Sequence, residues 1–422
     1  MNLRLLQFAA VLVLAACGSS AQTSAQNAAA PNGPANLDPT APPFTSTAVA
    51  TFDNPWAIAF LPGTMTGIVT EKEGRVWLVD TATGQKQPVS GVPAVHPGGT
   101  NGQGGLLDVV VSPHFAQDRF VYLTYSEPSP NGGSGLALAR ARLARGTAPA
   151  LQQLEVIWHD PAGGDGGQFG GIVVFAPDGK SLFLTSGERQ RFTPAQDASQ
   201  PLGKILHLTL GGKPAAGNPW AGKVGAATVT VTDPPEDSEA ARNTTGRQVR
   251  WPGPNLTPAE TWTLGHRCQY GLAFAPDGRL WETEMGPRGG DELNLIERAK
   301  NYGWPLVSEG KNYNGVPIPK PSTRADLVPP KLFWVPSIAP TSLLIYTGSL
   351  FPQWKGDGFI GALAGKALIH VRIRGDQASK LEQWDMGRRI RFVGQGPDGA
   401  IYLLEDGSGG RLLRLTPARA RR

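Results

Sequence analysis

The stretch from Gly265 to Trp304 gathers the densest set of groups in the chain that could do chemistry. Gly265-His266-Arg267 and Glu284-Met285-Gly286-Pro287-Arg288-Gly289-Gly290-Asp291-Glu292 flank an apolar segment broken by Pro-Asp-Gly. A hairpin there would bring both clusters to one end. A Gly-Pro turn leaves main-chain carbonyls free, and the neighbouring carboxylates Asp291 and Glu292 are hard oxygen donors. This set suits a cation such as calcium. Asp165, in a Gly-rich loop, is a further carboxylate that could serve as a base. Cys268 adjoins Arg267, which would lower the pKa of an exposed thiol, but a buried inert thiol is the expected state. The histidines are His96, His114, His159, His207, His266 and His370, and no Ser/His/Asp or Cys/His arrangement stands out among them.

The elements that must position these groups repeat along the chain. Ile172–Leu184 reads IVVFAPDGKSLFL, Tyr270–Trp281 reads YGLAFAPDGRLW, and Ile390–Leu404 reads IRFVGQGPDGAIYLL. Looser copies run from Ala57 to Trp77, Leu106 to Tyr125 and Leu343 to Ala364. Asp-Gly accepts the positive φ of a tight hairpin, and β-prone residues flank it. Six such units overfill a sandwich and predict an all-β, six-bladed β-propeller of four-stranded antiparallel blades. A closed ring gathers inner strand ends on one face, where function is expected. The polar, Pro-rich stretch Gly212–Gly265 breaks the rhythm and reads as a surface excursion between the third and fourth blades. Gly 54 and Pro 38 fit a fold with many turns, while 40% hydrophobic residues and 11 Trp exclude a disordered chain. The net charge of +5 is too diffuse for a nucleic-acid partner.

The N-terminus reads as an export signal over residues 1–16, with Arg4 ahead of an apolar stretch too short to span a bilayer. It ends in Leu14-Ala15-Ala16-Cys17, which resembles a lipoprotein box, so Cys17 is the expected lipidation site. A flexible tether over 17–47, a propeller over 48–417 and a basic tail over 418–422 complete the expected organisation. The expected location is the periplasm, with the chain lipid-anchored to the cell envelope at the outer membrane. Cys268 would then have no disulfide partner.

Several motifs together make the chain similar to the glucose/sorbosone dehydrogenase family. They are Gly102-Gln-Gly-Gly-Leu-Leu, Gly265-His-Arg, Gly286-Pro-Arg-Gly-Gly-Asp-Glu-Leu-Asn-Leu-Ile, Lys300-Asn-Tyr-Gly-Trp-Pro, Pro336-Ser-Ile-Ala-Pro, Tyr346-Thr-Gly and Arg389-Ile-Arg. The resemblance extends from about Asn54 to Pro417. It implies a six-bladed propeller that oxidises aldose sugars with pyrroloquinoline quinone (PQQ) and calcium. By position it implies that Arg267, Arg389 and Arg391 clamp the quinone's carboxylates, a task that suits the planar guanidinium fork. Gly286 and Pro287 would offer carbonyls to the cofactor's calcium, Glu292 and Tyr302 would bind a structural calcium, and Gln103 would touch the sugar.

The chain departs from that pattern where the chemistry lies. The family's third blade opens with a motif like His-Phe-Gly-Gly-Arg, whose His takes the sugar hydroxyl proton. This chain has Gln168-Phe169-Gly170-Gly171-Ile172. An amide takes no proton near neutral pH, so the expected base is absent. Cys268-Gln269-Tyr270 stands for Asn-Pro-Gln, Ala364 for a frequent Lys, Phe392 for an Asp, and Met285 for a polar residue. Two readings follow: a periplasmic sugar dehydrogenase with an altered site and an unnamed electron acceptor, or a propeller that has lost catalysis and binds a sugar, a glycan or an envelope protein. A calcium-dependent hydrolase is a remoter third, without a convincing ligand set.

Overall fold

A computed structural model describes residues 42–97, 102–130, 132–231 and 246–418. The expected signal, Cys17 and the arginines of the tail lie outside them. Six four-stranded antiparallel sheets form the blades of a propeller. β1 (Phe44–Asp53) precedes the first complete blade, β2–β5 (Pro55–Phe60, Thr66–Glu71, Arg75–Asp80, Lys86–Val89). Blade 2 is β6–β9 (Leu106–Val111, Phe120–Pro128, Ser134–Ala144, Ala150–His159). Blade 3 is β10–β12 (Gly170–Phe175, Ser181–Ser186, Lys204–Thr209) with β15 (Thr261–Leu264) outermost. Blade 4 is β16–β19 (Gln269–Phe274, Leu280–Glu284, Asp291–Ile296, Leu332–Trp334), and blade 5 is β20–β23 (Pro340–Ile345, Gly358–Ala362, Ala367–Arg374, Gln377–Asp385). Blade 6 joins β24–β26 (Ile390–Gln395, Ile401–Glu405, Ser408–Pro417) to β1, so the two ends of the folded chain close one sheet.

Two boundaries differ from expectation. The tether was expected to reach residue 47, but Phe44 already pairs with Pro417, because closing the ring requires the longer strand. The Pro-rich excursion lies within blade 3, between its third and fourth strands. It contains the hairpin β13–β14 (Thr228–Val231, Arg247–Arg250) and ends in β15 itself. A blade's last strand cannot be read from periodicity when a long insertion precedes it.

The blades share one local design. Each innermost strand begins with a register shift against its neighbour, at Pro55/Ala57, Leu106/Val109, Gly170/Val173, Gln269/Gly271, Pro340/Leu343 and Ile390/Phe392. Such bulges bend a strand and re-aim its side chains. Threonines next to them stitch blades together. Thr70, Thr124 and Thr185 donate to the carbonyls of Leu107, Gly171 and Gln269 in the next blade at 2.7, 2.6 and 3.3 Å. At the same end, a residue just after the second strand, or in blade 2 near its end, donates its N–H to the residue before the first: Lys72 to Asn54, Ser126 to Gly105, Gly187 to Phe169, Met285 to Cys268, Leu363 to Ala339 and Asp406 to Arg389. These six bonds form the mouth of the ring. The core lies between sheets, where Ile68, Val121, Leu184, Trp281, Ile360 and Leu403 are fully buried. Among the described residues no helix is long and apolar enough to cross a membrane.

Candidate active site

At blade 3 the approach to the mouth is a Gly-rich loop ending in Gln168, which sits at φ +55° and is buried. Two buried arginines beyond β11 hold that loop by its carbonyls. Arg189 donates to Ser134, Gly164, Gly166 and Gly167 at 2.9–3.2 Å and lies 3.8 Å above the Phe169 ring. Arg191 donates to the carbonyls of Gly163 and Asp165 at 3.1 and 2.7 Å. A polar chain crosses three blades at this point. The Gln168 N–H donates to Gln103 Oε1 at 2.8 Å. In the orientation that satisfies both neighbours, its amide donates to Glu188 Oε1 at 2.6 Å and accepts from Arg267 Nη2 at 2.9 Å. Glu188 is fully buried, and burial raises its carboxyl above the usual range against the pull of Arg267.

Arg267 carries this chain into blade 4. Its Nη1 donates to the carbonyls of Met285 and Gly286 at 3.0 and 2.8 Å, and Nη2 reaches the Tyr313 hydroxyl at 3.2 Å. The guanidinium lies between the rings of Trp304 and Tyr313, and its Nε is buried without a partner. Beneath it lies an acidic nest of Glu282, Glu284 and Glu292, none more than 8% exposed. All three accept from the single Asn294 amide at 3.1–3.2 Å. His266 Nδ1 is 3.2 Å from Glu284, and its ring stacks on Tyr302 at 4.7 Å. Burial, and then the Glu284 charge, hold Glu282 and Glu292 well above the usual carboxylate range. Glu282 Oε1 and Asn294 Oδ1 are buried with no hydrogen bond. Glu284, Gly286, Glu292 and Tyr302 line one cavity of about 10 Å³, room for a single water or ion. His266, Glu282 and Glu284 offer atoms within 4.8 Å of one another.

Across the mouth, blade 6 supplies Arg389 and Arg391. Both hold Asp406, through Arg389 Nε at 2.8 Å and Arg391 Nε and Nη2 at 2.8 and 2.7 Å. Burial opposes the charge on Asp406, but Arg391 and Arg389 hold it below its ordinary pKa. Arg391 lies 4.3 Å from the Trp56 ring, whose edge meets Tyr270 at 5.7 Å. Arg391 and Arg267 therefore line different small cavities, and the Trp56–Tyr270 pair lines that of Arg391. Ile172 and Phe392 line the cavity of Arg391 and pack on the same core, so the two departures from charged family residues fall side by side as apolar surface.

This geometry matches known proteins. The family model of glucose/sorbosone dehydrogenases covers residues 52–232 and 253–414. The chain belongs to that family. It is 37% identical over 371 residues to the aldose sugar dehydrogenase YliI of Escherichia coli, covering 86% of this chain and 90% of that one. The crystal structure of the soluble aldose sugar dehydrogenase of E. coli in its apo form superposes with a TM-score of 0.76 at 35% identity, over 89% of this chain and all of that one. The PQQ-bound aldose sugar dehydrogenase of Streptomyces coelicolor gives 0.66 at 25%, over 89% and 99%.

Within the family frame, the structure brings Gln103, Gln168, Arg267 and Gly286 together and sets Glu292 and Tyr302 in one cavity. Asp165 is exposed, and only its carbonyl is tied in, to Arg191. The Tyr302 hydroxyl is taken by the Leu295 carbonyl and the Glu297 N–H at 2.6 and 2.8 Å, so Tyr302 can serve a cation only through its own carbonyl. Asp291 instead accepts from the main chain of Gly286, Ile338 and Ala339 at 2.7–2.9 Å, which fixes the Gly-Pro turn. Burial pushes the Cys268 thiol up to about 12, as an inert thiol requires. Sequence reasoning missed Glu188, Arg189 and Glu282, and placed Glu284 in its cluster without assigning it a role. The signal for the first pair was the charged run Gly187-Glu188-Arg189-Gln190-Arg191 directly after a strand.

Proposed function

We propose that this protein is a PQQ- and calcium-dependent dehydrogenase that oxidises aldose sugars at the anomeric carbon, lipid-anchored through Cys17 in the periplasm. Arg267 carries the reading. One buried guanidinium touches the position of the expected base, Gln168, and the Gly286 carbonyl expected at the metal. The groups present fit both ligands. Arg267 has an unpartnered buried Nε, and Arg389 and Arg391 add two forks for planar carboxylates. The acidic nest, with two orphaned oxygens, has the hard donor set of a calcium site. When bound, PQQ supplies the acceptor for a hydride equivalent from the sugar.

The chain's own residues hold and orient. Gln103 gives its carbonyl oxygen to the Gln168 N–H, which leaves its NH₂ to donate to a sugar oxygen. Gln168 cannot take the hydroxyl proton, and its amide is already held by Glu188 and Arg267. Glu188 stands where a carboxylate would orient an imidazole at position 168. Gln168→His should therefore raise turnover by about 10²–10⁴-fold, the usual contribution of a general base. The assay is dye reduction across a panel of aldoses with added PQQ and calcium. Absence of PQQ binding at micromolar concentration would refute the dehydrogenase reading. The full pairing of Gln168 favours a second reading, a propeller that binds without turning over. Cofactor binding with activity only in Gln168→His would select it.

A further inference from the structure

The mouth holds three cations, Lys72, Arg389 and Arg391, near Asp406, and one of them has no role in the reading above. Lys72 lies on the β3–β4 turn, between blade 6 and the loop that carries Gln103. Its main chain is fixed on both sides, with its N–H on the Asn54 carbonyl at 3.1 Å and its carbonyl on the Leu106 N–H at 2.9 Å. Its ammonium donates to the Gly102 carbonyl at 2.7 Å. Burial, and next the charge of Arg391, lower its pKa, while Asp406 pulls the other way. Both Asp406 oxygens are already taken by Arg389 and Arg391. Glu73, the other carboxylate acting on Lys72, is engaged by Asn54 Nδ2 at 2.9 Å and by Arg75 at 3.5 Å, so the half-buried group of Lys72, Arg389 and Arg391 is short of negative charge. A ligand carboxylate supplies it at the least desolvation cost.

We propose that Lys72 is a carboxylate ligand of the cofactor, making up for the cation absent at Ala364. This rests on the reading of the mouth as a PQQ site. Ala364, on the β21–β22 turn, is exposed and brings no charge, and Lys366 on the same turn is exposed as well. Lys72 enters from the adjoining side, next to Arg391, and completes the cationic arc from blade 6 through blade 1. Two positive groups and a main-chain anchor then hold one end of a planar polyanion, while Arg267 holds the other.

The test is a titration of the purified full chain with PQQ in calcium, followed by fluorescence quenching at two salt concentrations. The variants are Lys72→Gln, Lys72→Arg, Lys366→Gln and the double change Lys72→Gln/Ala364→Lys, each checked by its melting curve. Lys72→Gln is expected to bind about tenfold more weakly, with a shallower salt dependence. Lys72→Arg should keep the affinity, and Ala364→Lys should restore most of the loss. Unchanged affinity in Lys72→Gln overturns the proposal while leaving the PQQ reading in place. A loss confined to Lys366→Gln also overturns it, by moving the cation back to blade 5. If the unaltered protein binds no PQQ, the reading of the site fails, and the role of Lys72 with it.

Discussion

Blade 4 packs Glu282, Glu284 and Glu292 around one asparagine with at most 8% of any residue exposed. Blades 6 and 1 gather Arg389, Arg391 and Lys72 around one aspartate, with the Arg389 side chain 48% exposed. Both regions crowd like charges, and what separates them is water. Arg389, half-exposed, is screened by solvent and mobile ions, so its pair with Asp406 is worth about 1 kcal/mol or less. The buried acids have no such relief. They must take up protons, as the raised pKa values of Glu282 and Glu292 indicate, or a metal ion. Metal binding there should release protons and tighten as pH rises. One region can wait for its ligand at little expense, whereas the other stays strained until its ligand arrives.

Asp108 gives the sharpest test, because it is a buried acid without acidic neighbours. It accepts from Val109 N and Val173 N at 2.9 Å each, and burial raises it to about 7. Below about pH 4 both folded and unfolded chains hold the proton. Between about 4 and 7 only the folded chain does, so stability falls as pH rises through that window and is level above it. The span is worth up to about 4 kcal/mol. Asp108→Asn should flatten this slope in urea titrations at several pH values, and an unchanged slope would show that burial is not the deciding variable.

Next in size is a reversal of sign. Glu282→Gln should stabilise the protein in chelator at alkaline pH, where the unaltered acid gives up its proton and becomes a buried like charge, and should forfeit the gain that calcium gives the unaltered chain. Each shift is of the order of 3 kcal/mol. Equal melting temperatures with and without calcium in the unaltered chain would break the contrast between the regions. The smallest effects belong to the exposed region. Without ligand, Arg389→Ala should cost about 0.5 kcal/mol and Arg391→Ala, 10% exposed over Trp56, about 1–2 kcal/mol in denaturant unfolding. Equal costs would show that exposure does not grade these pairs.

The ring was legible because its design is local. Each Pro-Asp-Gly turn, with apolar residues on both sides, maps onto an inner hairpin such as β10–β11, β16–β17 or β24–β25. The arginines and the Gly-Pro turn were legible as motifs. What stayed hidden depends on contacts between distant residues. The Glu188–Gln168–Arg267 chain joins positions far apart in sequence, and the Asp406 clamp comes from a turn that carries no motif. Glu282 carries no motif, and only its neighbour Glu284 falls in the cluster read from the sequence. In a propeller both faces of a middle strand are covered by neighbouring blades, so alternation no longer marks solvent. The pairing of Ile172 with Phe392 is of the same kind: each looks like the loss of a functional residue, yet together they line one apolar wall.

The pairing of β1 with β26 also sets the order of events in folding. Phe44 waits for Pro417, so the strand made first finds its place only when the strand made last is available. Blades 1 to 5 are complete in themselves and can form as they are synthesised, whereas blade 6 is a long-range contact and the slow step. Until it closes, β1 and β26 each present an unpaired edge. A chain shortened before β26 should therefore leave β1 without its partner strand while keeping the acidic nest of blade 4.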